Sequence, residues 1–176
     1  KLNFTVQLDR PEHFKTVNGS DNSLVMSGQL NNGINGKGMR YKAKVKAQLK
    51  DGNAFYTNNT IDIKNATEVV LFISMGTDFK DKNFESTVDK ILKAAMQKKY
   101  QDQKKTHIEN YQKLFNRVAL NFGKSTKKAL PTNERLDAFM KDSDSDTGLP
   151  VLFYQYGRYL SISSTRVGLL PPNLQG

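Results

Sequence analysis

The chain has 176 residues, 27 Lys plus Arg against 17 Asp plus Glu, no Cys and no Trp. That length suits one large domain or two small modules with a sizeable core. The patterned recurrence of Phe, Tyr, Leu, Ile and Val excludes wholesale disorder. Without Cys there is no disulfide scaffold, no Cys zinc site and no thiol nucleophile.

No apolar run approaches the roughly 20 residues a membrane helix needs, so no membrane span is expected. Lys1-Leu2-Asn3-Phe4 has neither an initiator Met nor a signal-like apolar core. The net charge of +10 invites a nucleic-acid reading. Its excess, however, is concentrated: residues 80 to 128 hold thirteen cationic against five acidic side chains.

In chain order, Leu2, Phe4, Val6 and Leu8 alternate with Asn3, Thr5, Gln7 and Asp9, the period of a strand with one buried face. A chain that opens inside a strand is expected to continue a sheet begun upstream. Asn31 to Gly38 lacks the spacing of a phosphate-binding loop and is followed by no helix pattern, so it reads as a sheet loop. Met39, Tyr41, Ala43, Val45, Ala47 and Leu49 then alternate with Arg40, Lys42, Lys44, Lys46, Gln48 and Lys50. The lysine side reads as a solvated sheet face or a protected edge, and it lacks the stacking aromatics of a single-strand binder. Nucleic acid is therefore not an expected partner.

Asp51-Gly52 predicts a hairpin turn, Ala54 to Tyr56 and Ile61 to Ile63 short strands, and Glu68 to Met75 a more buried strand. Several short strands at this spacing predict an antiparallel sandwich.

The period changes near Thr77 to Asn83. Asn83 is a candidate N-cap, and Phe84, Val88, Ile91, Leu92 and Ala95 share a helical face. Ile108, Tyr111, Leu114, Phe115 and Val118 continue the pattern, as one long helix or two consecutive ones. Val118 to Phe122 predicts a short strand, and Thr132 caps a helix over Asn133 to Met140. Leu149, Leu152, Phe153, Tyr156 and Leu160 mark another helix, with Pro150 in its first turn.

Spacing alone selects no catalytic constellation. Asp142, Asp144 and Asp146 start like a calcium loop, but Gly148 comes one residue late and Phe153 stands at the twelfth position, so a solvated acidic loop is the better reading. His13 and His107 have no metal-ligand spacing, and structural hydrogen bonding suits them better than catalysis. Glu109, Glu134 and Asp137 have cationic helix neighbours that suffice to explain them. Ser163-Ser164 has no paired base and no nucleophile elbow.

The stretch Gly148-Leu149-Pro150-Val151-Leu152-Phe153-Tyr154-Gln155-Tyr156-Gly157-Arg158-Tyr159-Leu160, with Ser161 to Arg166 and Leu170-Pro171-Pro172-Asn173-Leu174-Gln175-Gly176, closely resembles glycoside hydrolase family 95. Val6 to Pro11, Leu71 to Phe79, His107 to Leu120 and Pro131 to Leu136 occur in that family's order. The resemblance implies an α+β chain: part of an N-terminal β-sandwich over residues 1–79, a helical linker over 80–130, and the opening helices of an (α/α)6 barrel over 131–176.

The resemblance further implies a parent enzyme that hydrolyses terminal α-L-fucosyl or α-L-galactosyl linkages in glycans with inversion, periplasmic or secreted, needing no cofactor. A Glu acid and an Asp base assisted by Asn serve in that family. Its catalytic motifs lie beyond the Asn-Leu-Gln-Gly segment, so this chain is expected to hold no catalytic residue and to be inactive by itself. Asn173 and Gln175, in a loop that resembles the one leading into the sugar cleft, are the candidate substrate-binding residues. Backbone hydrogen bonding within that loop is an equal reading, and Val167 and Pro172 depart from the family's usual Pro and Ala. A noncatalytic carbohydrate-binding or interaction module is the alternative. The sequence carries no signal for oligomeric state.

Overall fold

A computed structural model describes residues 1–123 and 125–165. It divides into two compact units, Lys1–Asp102 and a second beginning at Gln103.

The first unit has seven strands: β1 (Leu2–Val6), β2 (Lys15–Gly19), β3 (Ser23–Gln29), β4 (Arg40–Lys50), β5 (Asn53–Thr57), β6 (Thr60–Ala66) and β7 (Glu68–Thr77). They form two antiparallel sheets, one ordered β1-β6-β5 and the other β2-β3-β4-β7. Leu24, Val45, Ile61, Ile63 and Ala66 make the shared core, with Val6, Ala47, Leu49, Tyr56 and Val69 packed around it. The phenol oxygen of Tyr56 accepts from the Ala47 amide at 3.3 Å, so its polar end is partnered within the sandwich.

Asp51 and Gly52, at φ of 56° and 69°, turn β4 into β5 with both central residues left-handed, the geometry that matches the twist of hairpin strands. A Cβ on Gly52 would lie 2.3 Å from the Lys64 carbonyl oxygen, so glycine is required for space as well as for φ. Asn58 and Asn59, at φ of 51° and 59°, make the next hairpin turn in the same way.

β4 lies between β3 and β7, so its alternation is central-strand alternation and its lysines line no edge. Nor is the lysine side simply solvated. Helix α1 (Phe84–Met96) lies on β7 and β4, and Lys44 is only 9% exposed. The unit is thus three layers deep: three-stranded sheet, four-stranded sheet and helix.

The expected burial of β7 also needs correction. Phe72 and Ser74, facing α1, are buried, but Leu71, Ile73 and Met75 on the other side are exposed. They pair with Ala47, Val45 and Ala43, so they share the core-side face of the sheet, yet β7 is one of its two edge strands. Alternation reports which face a residue takes, while strand order decides whether that face is covered.

α1 buries Phe84, Val88 and Leu92, and each such side chain contributes about 1.5–3 kcal/mol. Asn83 precedes the helix but makes no side-chain cap. Asp81 instead braces the turn that leads into the helix, accepting from the Asn83 amide at 2.8 Å and the Thr87 hydroxyl at 2.5 Å. Thr87 and the Asn83 amide hold the Asp81 carboxyl below the usual range.

A break at residues 97–99 resolves the helical stretch into two, the second being α2 (Tyr100–Phe115). The second unit continues with α3 (Thr132–Lys141), a short 3-10 turn (Ser143–Ser145) and α4 (Gly148–Ser164). Val118 to Phe122 forms no strand: both end residues are exposed and no described strand pairs with the segment. The chain is α+β, antiparallel sheets followed by helices.

Candidate functional site

Two clusters organise charge in the described residues, one in each unit. In the first, β4 alternation places Lys42, Lys44 and Lys46 on one side of the sheet, and α1 brings Asp89 over it. Lys42 donates to Asp89 at 2.9 Å, and Lys44 donates to Asp89 at 3.0 Å and pairs with Asp21 at 2.9 Å. Lys46 reaches Asp21 at 3.4 Å. Asp21, in the β2–β3 turn, also accepts from the Ser23 hydroxyl at 2.6 Å.

Burial alone would raise both carboxyls. The hydrogen bonds from Ser23 and Lys44 outweigh it at Asp21, those from Lys42 and Lys44 at Asp89, and both stay below the usual range. The same carboxylates raise Lys44 despite its burial.

In the second unit, Arg135 of α3 meets Asp146, the residue two before α4, in a two-point pair of 2.7 and 3.1 Å. Asp146 is wholly buried. Its remaining capacity is filled by the Ser125 hydroxyl at 2.5 Å and the Gly148 amide at 3.1 Å. Arg135 foremost, against the opposing effect of burial, holds the Asp146 carboxyl well below its ordinary value. The Asp-Ser run is therefore not a uniformly solvated acidic loop: its last Asp is an internal anchor. No group of three or more His, Asp or Glu side chains among the described residues has the geometry to hold a metal ion.

The second unit also has two grooves along α2 and α4. One, of about 820 Å3, runs past Leu114, Val118, Phe153 and Gly157, and the other, of about 960 Å3, past His107, Asn110, Tyr111, Tyr159 and Ser163. Arg158 bridges these helices: it donates to the carbonyls of Phe115 at 2.8 Å and Val118 at 3.0 Å and stacks over the Phe115 ring. It thus satisfies backbone oxygens at the end of α2 that the helix leaves unpaired. Tyr111 stacks on Phe115 and meets Tyr159 edge-on. Neither groove's described lining contains Asp or Glu. These walls offer apolar and hydrogen-bonding contact but no paired acid and base.

Of the residues singled out in the sequence, Asn173 and Gln175 lie outside the described residues. His107 and Ser163 both line the second groove, while His13 sits at φ of 57° and its carbonyl accepts from Tyr41. Ser164 donates back to the Leu160 carbonyl of its own helix. Glu134 lies in the first turn of α3, and Glu109 and Asp137 lie mid-helix. The Arg135–Asp146 and Lys–Asp89 clusters were not legible from spacing, because each joins elements whose approach only the fold determines.

Comparison with known proteins places both units. Residues 1–82 match the model of the glycosyl hydrolase family 65 N-terminal domain, and residues 99–176 match the glycosyl hydrolase family 95 catalytic domain. Alpha-L-fucosidase 2 of Arabidopsis thaliana is 31% identical, over 99% of this chain and 25% of its own length. Probable alpha-fucosidase A of Aspergillus niger is also 31% identical, over 88% of this chain and 21% of its own length. The corresponding Aspergillus oryzae protein is 29% identical over 66% of the chain. The chain is thus similar to α-L-fucosidases along nearly all its length, and to the glycoside hydrolase family 95 catalytic domain over residues 99–176. It spans about a quarter of the length of the first of these relatives.

Proposed function

We propose that the protein containing this chain releases terminal α-linked L-fucose, or the related L-galactose, from glycans with inversion at the anomeric carbon, and that it works in the periplasm or outside the cell. The observation that carries the reading is similarity to Alpha-L-fucosidase 2 along 99% of the chain.

Within that protein, residues 1–79 serve as part of the β domain, 80–130 as the helical linker and 131–176 as the start of an (α/α)6 barrel. The composition of α4 supports this assignment. Leu149 is buried, while Leu152, Phe153, Tyr156 and Leu160, which share its helical face, remain exposed. An apolar helical stripe left this exposed is suited to packing against further helices of a larger body. Asn173 and Gln175 are proposed to approach the sugar.

The 176-residue chain itself is proposed to be inactive. Inversion needs two carboxyl groups roughly 6.5–9.5 Å apart with a water between one of them and the sugar. In support, the grooves of the second unit have no carboxylate in their described linings, and Asp21, Asp89 and Asp146 are tied to cations. Aryl α-L-fucoside and aryl α-L-galactoside should both be offered to the longer protein and to this chain. Cleavage of at least one by the longer protein alone is expected. Cleavage by the chain alone contradicts its inactivity, and turnover of neither substrate by the longer protein contradicts the reading.

A further inference from the structure

The face of β4 that carries Lys42, Lys44 and Lys46 has a composition suited to water, yet α1 lies on it. Two kinds of contact hold the helix there. One is the apolar row Phe84, Val88 and Leu92, with Val88 so close over β7 that a Cβ on Gly76 would come within 3.0 Å of it. The other is Asp89, which bridges Lys42 and Lys44.

The main core lies on the opposite side of the same sheet, among Leu24, Val45, Ile61 and Ile63. Lifting α1 would therefore uncover three lysines, Ser74 and Phe72, and leave that core covered. A helix of 13 residues does not persist alone in water, so release and unwinding of α1 form one event.

We propose that α1 is a strap, clasped over the lysine face of the sheet by Asp89, which opens as a unit while the sandwich beneath it stays folded. The clasp has a compensated open state. Lys44 and Lys46 keep Asp21, and Lys42, whose side chain is 13% exposed when closed, gains water. An ordinary apolar interface offers the uncovered face no such compensation.

Hydrogen exchange of the whole 176-residue chain at neutral pH tests the strap. In the unsubstituted chain the amides of residues 84–96 should exchange at least about tenfold faster than those of β4. Asp89→Asn should speed α1 by a further factor of about ten and leave β3 and β4 within about twofold. Val88→Ala, which removes apolar contact and keeps every charge, should also open α1 selectively. A common exchange rate for α1 and β4, no response of α1 to Asp89→Asn, or loss of the sheet in either variant would overturn the proposal.

Discussion

Arg135 and Asp146 face each other through two hydrogen bonds, 2.7 and 3.1 Å long, across the turn that joins α3 to α4. Asp146 has no exposure to water and Arg135 very little, so each is the other's compensation for burial.

Removing one partner should therefore do more damage than removing both. Asp146→Leu leaves a buried guanidinium without its counter-charge, whereas Arg135→Met with Asp146→Leu replaces the pair by apolar volume. Thermal unfolding followed by circular dichroism should show the single variant less stable than the double. The reverse order would mean that the pair is dispensable and that packing around the guanidinium is the stronger effect.

Acid should loosen the chain in a defined window. Against the opposing effect of burial, Asp21 is held below its ordinary value by hydrogen bonds from Ser23 and Lys44, Asp89 by those from Lys42 and Lys44, and Asp146 by those from Arg135, Ser125 and the Gly148 amide. A depressed folded-state value gives stability that is fully present above the unfolded carboxyl value of about 4 and is lost as pH falls through the folded value. Urea midpoints should stay level from about pH 8 to pH 5 and fall steadily below about pH 4. Midpoints that rise on acidification would contradict this electrostatic account.

The unequal burial of β6 and β7 makes a direct contrast. Ile63 has no exposed surface and Ile73 is 59% exposed. Ile63→Ala should cost about 2–5 kcal/mol, and Ile73→Ala less than about 0.5 kcal/mol, in urea unfolding of the chain. Equal costs would show that Ile73 is covered in solution.

That contrast also marks how far the sequence could be read. Periodicity identified β4 and the face each of its residues takes, and Asp51-Gly52 identified its turn, because both are local properties of φ, ψ and the pleat. It could not show that α1 covers the lysines or that β7 is an edge strand, since these depend on which elements meet. Val118 to Phe122 misled for the same reason: β-compatible residues need a partner strand, and none among the described residues supplies one. The Arg135–Asp146 pair was hidden because a helix arginine and a loop aspartate each look solvent-facing until the turn between them closes. The family resemblance reached further than the physics did, since it rested on long runs such as Gly148 to Leu160 rather than on spacing.

The most direct test of the central reading is a proton NMR time course of an α-L-fucoside incubated with the longer protein. The account predicts L-fucose appearing first as the β-anomer. Release of neither L-fucose nor, from the matching α-L-galactoside, L-galactose, or first appearance of the released sugar as the α-anomer, would contradict it.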